Sequence, residues 1–297
     1  MKRNTIYVET EIQASLDEVW RYTQTPHLHE QWDLRFTSIT YQPKTSPIAD
    51  QHFTYCTRVM PGIKVSGWGV SKGTHEKNGI KTSSLHFGTS QKISPIREGK
   101  GYWQYRPEKE TVIFLTQYDY TPRFGRIIDR LFRPLIAYGT ALSFDVLKRW
   151  LEQGESPKTQ YRRFFACILI YAAMAFIWAY QGIVPKLLIM HPEEVAMVQY
   201  LTLGKSEITL WVVRAVGVLE VLFAMVWLLP FHKKRLLQLQ VIGFPILTII
   251  AYTVGATITA PFNMFTFNAA LFILSIIGVL LVYEVPSTKS CKRKKSE

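Results

Sequence analysis

The chain has 297 residues, enough for one large domain or two ordinary ones. Its three cysteines, Cys56, Cys167 and Cys291, are far apart and give neither a disulfide framework nor a zinc motif. A net charge of +13 would suggest nucleic acid in a soluble protein, but much of the excess flanks apolar runs, which is the signature of membrane topology.

The average hides two halves. Up to about residue 160, charges recur every few positions; after Arg163 come long apolar stretches. The opening "MKRN" is followed by the alternating "TIYVETEIQ", with two glutamates and no apolar core, so no secretory signal peptide is expected. A reducing cytoplasmic setting is expected for this half.

Residues 5–12 alternate as a strand, and Ser15-Leu16-Asp17-Glu18 is a capping-box pattern that opens a helix carrying Val19, Trp20 and Tyr22. His27 and His29 precede Glu30 and Trp32. Without a third ligand at metal spacing, they read as part of a solvated loop. Then come "RFTSITY", "HFTYCTRV", "IKVSGWGVSKGTHE", "IKTSSLHFG", "GKGYWQYRPE" and "ETVIFLTQYDYT", strands punctuated by Pro, Gly, Asn and Asp. "EKNG" and "PEKE" read as hairpin turns. Residues 125–151 read as one long amphipathic helix, with Ile128, Leu131, Leu135, Leu142, Val146 and Trp150 at helical spacing. Pro134 should kink it or end a shorter preceding helix. Neither a nucleophile elbow nor a phosphate loop is present, and Glu98 and Asp119 have no carboxylate partner in view. No catalytic residue is assigned.

A polar linker, "EQGESPKTQ", leads to four apolar segments, 164–189, 208–229, 236–260 and 262–283. Each has the roughly 20 residues that a ~30 Å hydrocarbon core requires, and backbone satisfaction in lipid makes them helices. "TAPFN" is a tight turn between the third and fourth. Lys158, Arg162 and Arg163 precede the first span, Lys233, Lys234 and Arg235 join the second to the third, and Lys289, Lys292, Arg293, Lys294 and Lys295 follow the fourth. This bias places both termini in the cytoplasm, with the tail solvated.

Inside the second span stand Arg214 and Glu220, six residues and so ~120° apart on the helix. They do not pair with each other; each should face a neighbouring helix or wet cavity. Gln181, Lys186, Asn263 and Asn268 are candidate partners, with the Tyr180 and Tyr252 hydroxyls. Two readings stay open: polar glue between helices, and a proton or ligand site.

"FIWAYQGIVPKLL", "VVRAVGVLEVLFA" and "FNMFTFNAALFILS" resemble the DoxX-like membrane family over residues 163–285. The features are Y-x-G-x-x-P-K closing the first span, R-x-x-G-x-x-E in the second and N-x-A opening the fourth. The resemblance implies a four-helix bundle. It also points to Lys186, Arg214 and Glu220, with Gly217 allowing close helix approach. Some relatives are subunits associated with quinone-linked or thiol-redox oxidoreductases.

"EIQASLDEVWRYTQTPHLHEQW" resembles the opening I-x-A-x-x-x-x-V-W-x-x-x-x-D-x-x-x-x-x-W of the START-like (SRPBCC, helix-grip) family, with Thr25-Pro26 where Asp is usual. The resemblance covers about residues 4–151. It implies an α+β domain whose curved antiparallel sheet grips a long C-terminal helix and leaves a pocket for lipophilic ligands. Strand parity turns Phe53, Tyr55, Trp103, Tyr105, Phe114, Thr116 and Tyr118 inward, and Arg58, Gln104, Gln117 and Asp119 outward. The inward aromatics either fill a closed core or line that pocket.

The expected organisation is a START-like domain over 1–153, a linker over 154–163, an all-α four-helix transmembrane bundle over 164–285 and a basic tail over 286–297. The leading expectation is a membrane-anchored protein whose cytoplasmic pocket binds a lipid or quinone. The alternatives are an accessory subunit of a quinone- or thiol-linked membrane oxidoreductase and a small transporter. No flavin, haem or iron–sulfur pattern is visible, so a redox role would need a partner subunit or bound quinone.

Overall fold

The computed structural model describes residues 5–46, 49–60, 62–254 and 263–294. The chain forms two compact units, residues 1–161 with 286–297, and residues 162–285. The turn expected at 259–262 and the basic Lys295 lie outside the described residues.

The first unit is built on a seven-stranded antiparallel sheet. In chain order its elements are β1 (Ile6–Ile12), α1 (Leu16–Gln24), α2 (Pro26–Trp32), β2 (Ser38–Tyr41), β3 (Gln51–Met60), β4 (Ile63–Lys77), β5 (Ile80–Gly88), β6 (Ile96–Glu108), β7 (Thr111–Pro122) and α3 (Gly125–Gln153). The strand order is β1-β7-β6-β5-β4-β3-β2. With the long last helix packed on the sheet, this is the helix-grip architecture. Local chemistry sets the ends of its elements. The Ser15 hydroxyl accepts from the Glu18 amide and the Glu18 carboxylate accepts from the Ser15 amide, completing the capping box of α1. Asn78 and Gly79 both take positive φ, 54° and 75°, giving the primed turn that matches strand twist between β4 and β5. Gly154, at φ 70°, stops α3 in the left-handed conformation.

The helix α3 runs unbroken through Pro134 rather than ending there. Its two halves differ. Thr140 to Leu147 are all buried, whereas Ile127 and Leu131 remain 85% and 69% exposed. The core gathers Val8, Ile12, Val19, Trp32, Tyr105, Phe114, Phe144 and Leu147, each fully buried.

The tail corrects the expectation of a solvated terminus. The Ser287 amide donates to Asp145 at 2.8 Å, the Ser290 hydroxyl also donates to Asp145, and Lys292 forms a β-bridge with Glu9 on the free edge of β1. The Lys292 ammonium adds an ion pair to Glu9 at 3.0 Å. Both contacts have a physical cause. Asp145 is 4% exposed and needs donors, and an unpaired strand edge needs partners for its main chain.

The second unit is helical. Helix α4 (Pro157–Gln181) runs into a seven-residue π-helical stretch, Gly182–Leu188, and is followed by a short α5 (Pro192–Leu201). The remaining helices are α6 (Ser206–Leu228), α7 (Lys233–Thr253) and α8 (Met264–Val282). Four helical stretches, 157–188, 207–228, 233–253 and 264–282, are long and apolar enough to cross a bilayer. The interior of the unit holds Met174, Trp227, Leu237, Phe244 and Leu271. Gly278 admits Leu237 where a Cβ would come within 2.7 Å of it, and the Asn268 amide donates to Thr248 at 3.1 Å, tying α8 to α7.

Candidate functional site

The sheet's inner face leaves a cavity of about 340 Å³. Sheet residues Phe53, Tyr55, Val65, Leu85, Phe87, Trp103 and Tyr118 form most of its apolar wall, and Phe132 and Ile136 of α3 close it. Four cross-strand pairs shape its wall. Phe53 faces Gly69, Tyr55 faces Gly67, Phe87 faces Gly99 and Tyr118 faces Gly101. A Cβ at any of these glycines would lie 2.1–2.5 Å from the facing aromatic side chain. The Phe53, Tyr55 and Phe87 rings therefore lie across the neighbouring strand and leave the interior open, whereas at Gly101 the close atom is the Tyr118 Cβ, and the Tyr118 hydroxyl reaches Thr140 of α3 at 2.9 Å.

Of the residues assigned inward by parity, Phe53, Tyr55, Trp103, Thr116 and Tyr118 line this cavity. Tyr105 and Phe114 share the face but sit in the closed core. Phe114 stacks on Phe144 at 4.5 Å, and the Tyr105 hydroxyl meets Thr23 and Gln24 at 2.7 and 2.8 Å. Gln117 and Asp119 are off the cavity wall, Gln117 accepting from the Tyr102 hydroxyl and Asp119 reaching Arg133 of α3 at 2.8 Å.

One polar constellation enters the wall, and the sequence reading missed it. Helix α2 starts with Pro26 at its first position, where a missing N–H costs nothing. It turns His27 outward and buries His29 beside the Trp32 ring, their centroids 5.0 Å apart. His29 is thus a buried helical residue, not part of a solvated loop. One turn on, Asp33 has a fully buried side chain. It accepts from Arg35 Nε at 2.8 Å and Nη2 at 2.6 Å, and meets His29 Nε2 at 3.1 Å. Burial alone would raise the Asp33 carboxyl, but the Arg35 guanidinium and the His29 hydrogen bond outweigh it and hold it well below the usual carboxylate range. Arg35 lies 5.7 Å from the Tyr118 ring centre and is the one guanidinium on the cavity wall among the described residues. Burial also pushes the Tyr55 phenol up to about 12, so it stays a neutral donor. The legible signal was His-x-x-x-Asp-x-Arg with Pro at the helix start.

The bundle carries a second polar cluster. Gly182 and Gly217 bring the π stretch and α6 into backbone contact: a Cβ on Gly182 would meet the Gly217 carbonyl at 2.5 Å. That approach sets Lys186, 7% exposed, beside Glu220, one turn beyond Gly217. The Lys186 ammonium lies 3.1 Å from Glu220 and 3.1 Å from Glu194 at the start of α5. Glu194 was not among the candidates read from the sequence. Arg214 does not join them. It is exposed, with its guanidinium 5.6 Å from the Trp211 ring centre. Six residues put Arg214 and Glu220 on different faces, and the long arginine side chain can reach along the helix toward an interface. Asn268 is likewise apart, bonded to α7. Among the described residues, no group of three or more His, Cys, Asp or Glu is arranged to hold a metal.

A helix-grip domain joined to a helical unit with four membrane-length helices is the class that fold and sites define. A model of the DoxX-like family matches residues 175–276. The uncharacterized membrane protein YndG of Bacillus subtilis (strain 168) is 36% identical over 308 residues, across the whole of both chains. The chain belongs to this family of DoxX-like, multi-pass membrane proteins. Among solved structures, TTHA0849 from Thermus thermophilus aligns at 18% identity and a TM-score of 0.33, over 44% of this chain and 83% of its own. The STAR-related lipid transfer protein of Xanthomonas axonopodis aligns at 16% identity and a TM-score of 0.33, over 40% and 69%. The helix-grip assignment rests on strand order and α3, not on these alignments.

Proposed function

We propose that the first unit of this membrane protein binds a lipophilic small molecule of the lipid or quinone class. The observation that carries this reading is the glycine-carved cavity. Its ~340 Å³ falls within the ~300–1,000 Å³ of ligand pockets, and an apolar wall with one oriented cation is how such sites fix a ligand. Arg35 is the residue assigned to the ligand's polar head, because Asp33 and His29 hold its guanidinium at the wall. Phe53, Tyr55, Trp103, Thr116 and Tyr118 are assigned to the apolar body. Titration of the full-length protein with a fluorescent fatty acid tests the reading. Saturable binding that Gly69→Val weakens at least tenfold is expected, because the valine forces the Phe53 ring into the cavity. Binding unchanged in that variant contradicts it.

Both termini are assigned to the cytoplasm. The basic loop residues support this, as does the tail's place in the same unit as the amino terminus, which an even number of spans requires.

A second reading, an accessory role beside a quinone- or thiol-linked oxidoreductase, is favoured by the Lys186–Glu194–Glu220 cluster, since buried ionisable groups within a bundle mark head-group or proton sites. Quinone-dependent respiration that is identical with wild-type protein and with Lys186→Met would remove it.

A further inference from the structure

The first half of α3 is the most exposed apolar surface of the first unit. Ile127, Leu131 and Leu135, spaced four apart, are 85%, 69% and 64% exposed. Such a stripe marks an interaction surface rather than scattered solvent-facing residues. Its surroundings are cationic. Arg126 and Arg130 flank it and are exposed. The docked tail adds more charge, because the Glu9–Lys292 bridge leads Arg293 and Lys294 into the groove that Ile127 and Arg130 line. The acids lining this groove are paired or outnumbered: Asp129 accepts from the Tyr120 hydroxyl at 2.6 Å and from Arg133 at 2.9 Å, Asp119 meets Arg133, and Glu98, 3.6 Å from His86, shares the groove with Lys100, Arg126, Arg130, Lys292, Arg293 and Lys294. The free charge at the stripe is therefore positive.

An apolar stripe with an arginine and lysine rim is the chemistry of a helix lying in the headgroup–acyl boundary of an anionic bilayer. We propose that the first half of α3 and the docked tail together form a surface that seats on anionic lipid. The occupant follows from the sign of the rim and from the four membrane-length helices of the same chain. The tail acts as a strap: pairing with β1 fixes its cations beside the stripe. The surface also bears on the cavity, because Phe132 and Ile136, on the same turns as Leu131 and Leu135, form part of the cavity wall. The inference does not need the ligand reading to hold.

The experiment uses the full-length chain carrying Cys56→Ser and Cys291→Ser, with Cys167 buried, and a bimane label at Leu131→Cys. It is reconstituted in nanodiscs of phosphatidylcholine alone or with phosphatidylglycerol, and quenched with the neutral quencher acrylamide. A second label at Glu76→Cys, exposed on the β4–β5 hairpin, reports folding and general access. The expected result is a severalfold drop in quenching at position 131 when phosphatidylglycerol is present, reversed by Arg126→Glu with Arg130→Glu, and no change at position 76. Equal quenching at position 131 in both lipids overturns the proposal. So does shielding in detergent that grows with protein concentration, which would assign the surface to a second copy, or shielding that survives charge reversal.

Discussion

In the sheet domain Asp33 meets one guanidinium and one imidazole, while in the bundle Lys186 meets two carboxylates. Both clusters are set by a local device: Pro26 starts the helix that carries His29, and the Gly182–Gly217 contact lets Lys186 reach Glu220. Their stoichiometry differs, and so does what each can lose. Among the described residues Asp33 pairs with Arg35 and His29 alone, and its side chain is wholly buried. Lys186 keeps a carboxylate partner when either glutamate is removed.

The largest effect follows from that contrast. Arg35→Met leaves Asp33 buried without its main partner and should destabilise the first unit by about 3–5 kcal/mol. Faster hydrogen exchange throughout β1 and β7 would register it, and adding Asp33→Leu should restore most of the protection. In the bundle, Lys186→Met should cost far more than Glu194→Gln or Glu220→Gln, each of which should cost about 1 kcal/mol. Thermal denaturation in nanodiscs orders the three, and equal losses would erase the distinction between the clusters.

Acid separates them further. The Asp33 carboxyl is depressed in the folded state, so its contribution is complete above its unfolded value near 3.8 and is lost as pH falls below that toward the folded value. Glu9 behaves alike below 4.5, because Tyr7, Lys292 and Arg106 overcome its burial. Stability of the sheet domain should therefore decline below about pH 4.5, and Asp33→Asn should flatten part of that decline in an acid titration followed by near-UV circular dichroism. The smallest effect expected is at the capping box: Ser15→Ala should cost about 0.5 kcal/mol, read by exchange of the α1 amides.

Alternation, turn residues and the capping box made the sheet and α1 legible, and hydropathy with charge bias made the membrane helices legible. Parity placed Phe53, Tyr55, Trp103, Thr116 and Tyr118 on the cavity face, but it put Tyr105 and Phe114 with them and gave no sign of the cavity itself. Parity reports which face a side chain takes, not that Gly67, Gly69, Gly99 and Gly101 stand opposite four aromatics, because register is a long-range property. His29 was lost because a seven-residue helix gives too little periodicity to separate it from a loop. The tail's docking was invisible for a different reason: a basic run is solvated by default, and only the edge of β1 and the buried Asp145 give it partners.

The cavity of the first unit is proposed to hold a lipophile. Native mass spectrometry of the gently extracted full-length protein, beside Ser83→Phe, which fills the cavity from β5, tests it most directly. A reproducible added mass of a lipid or quinone is expected on the wild-type protein, with its loss in the variant. An equal added mass on both, or none on either, would contradict it.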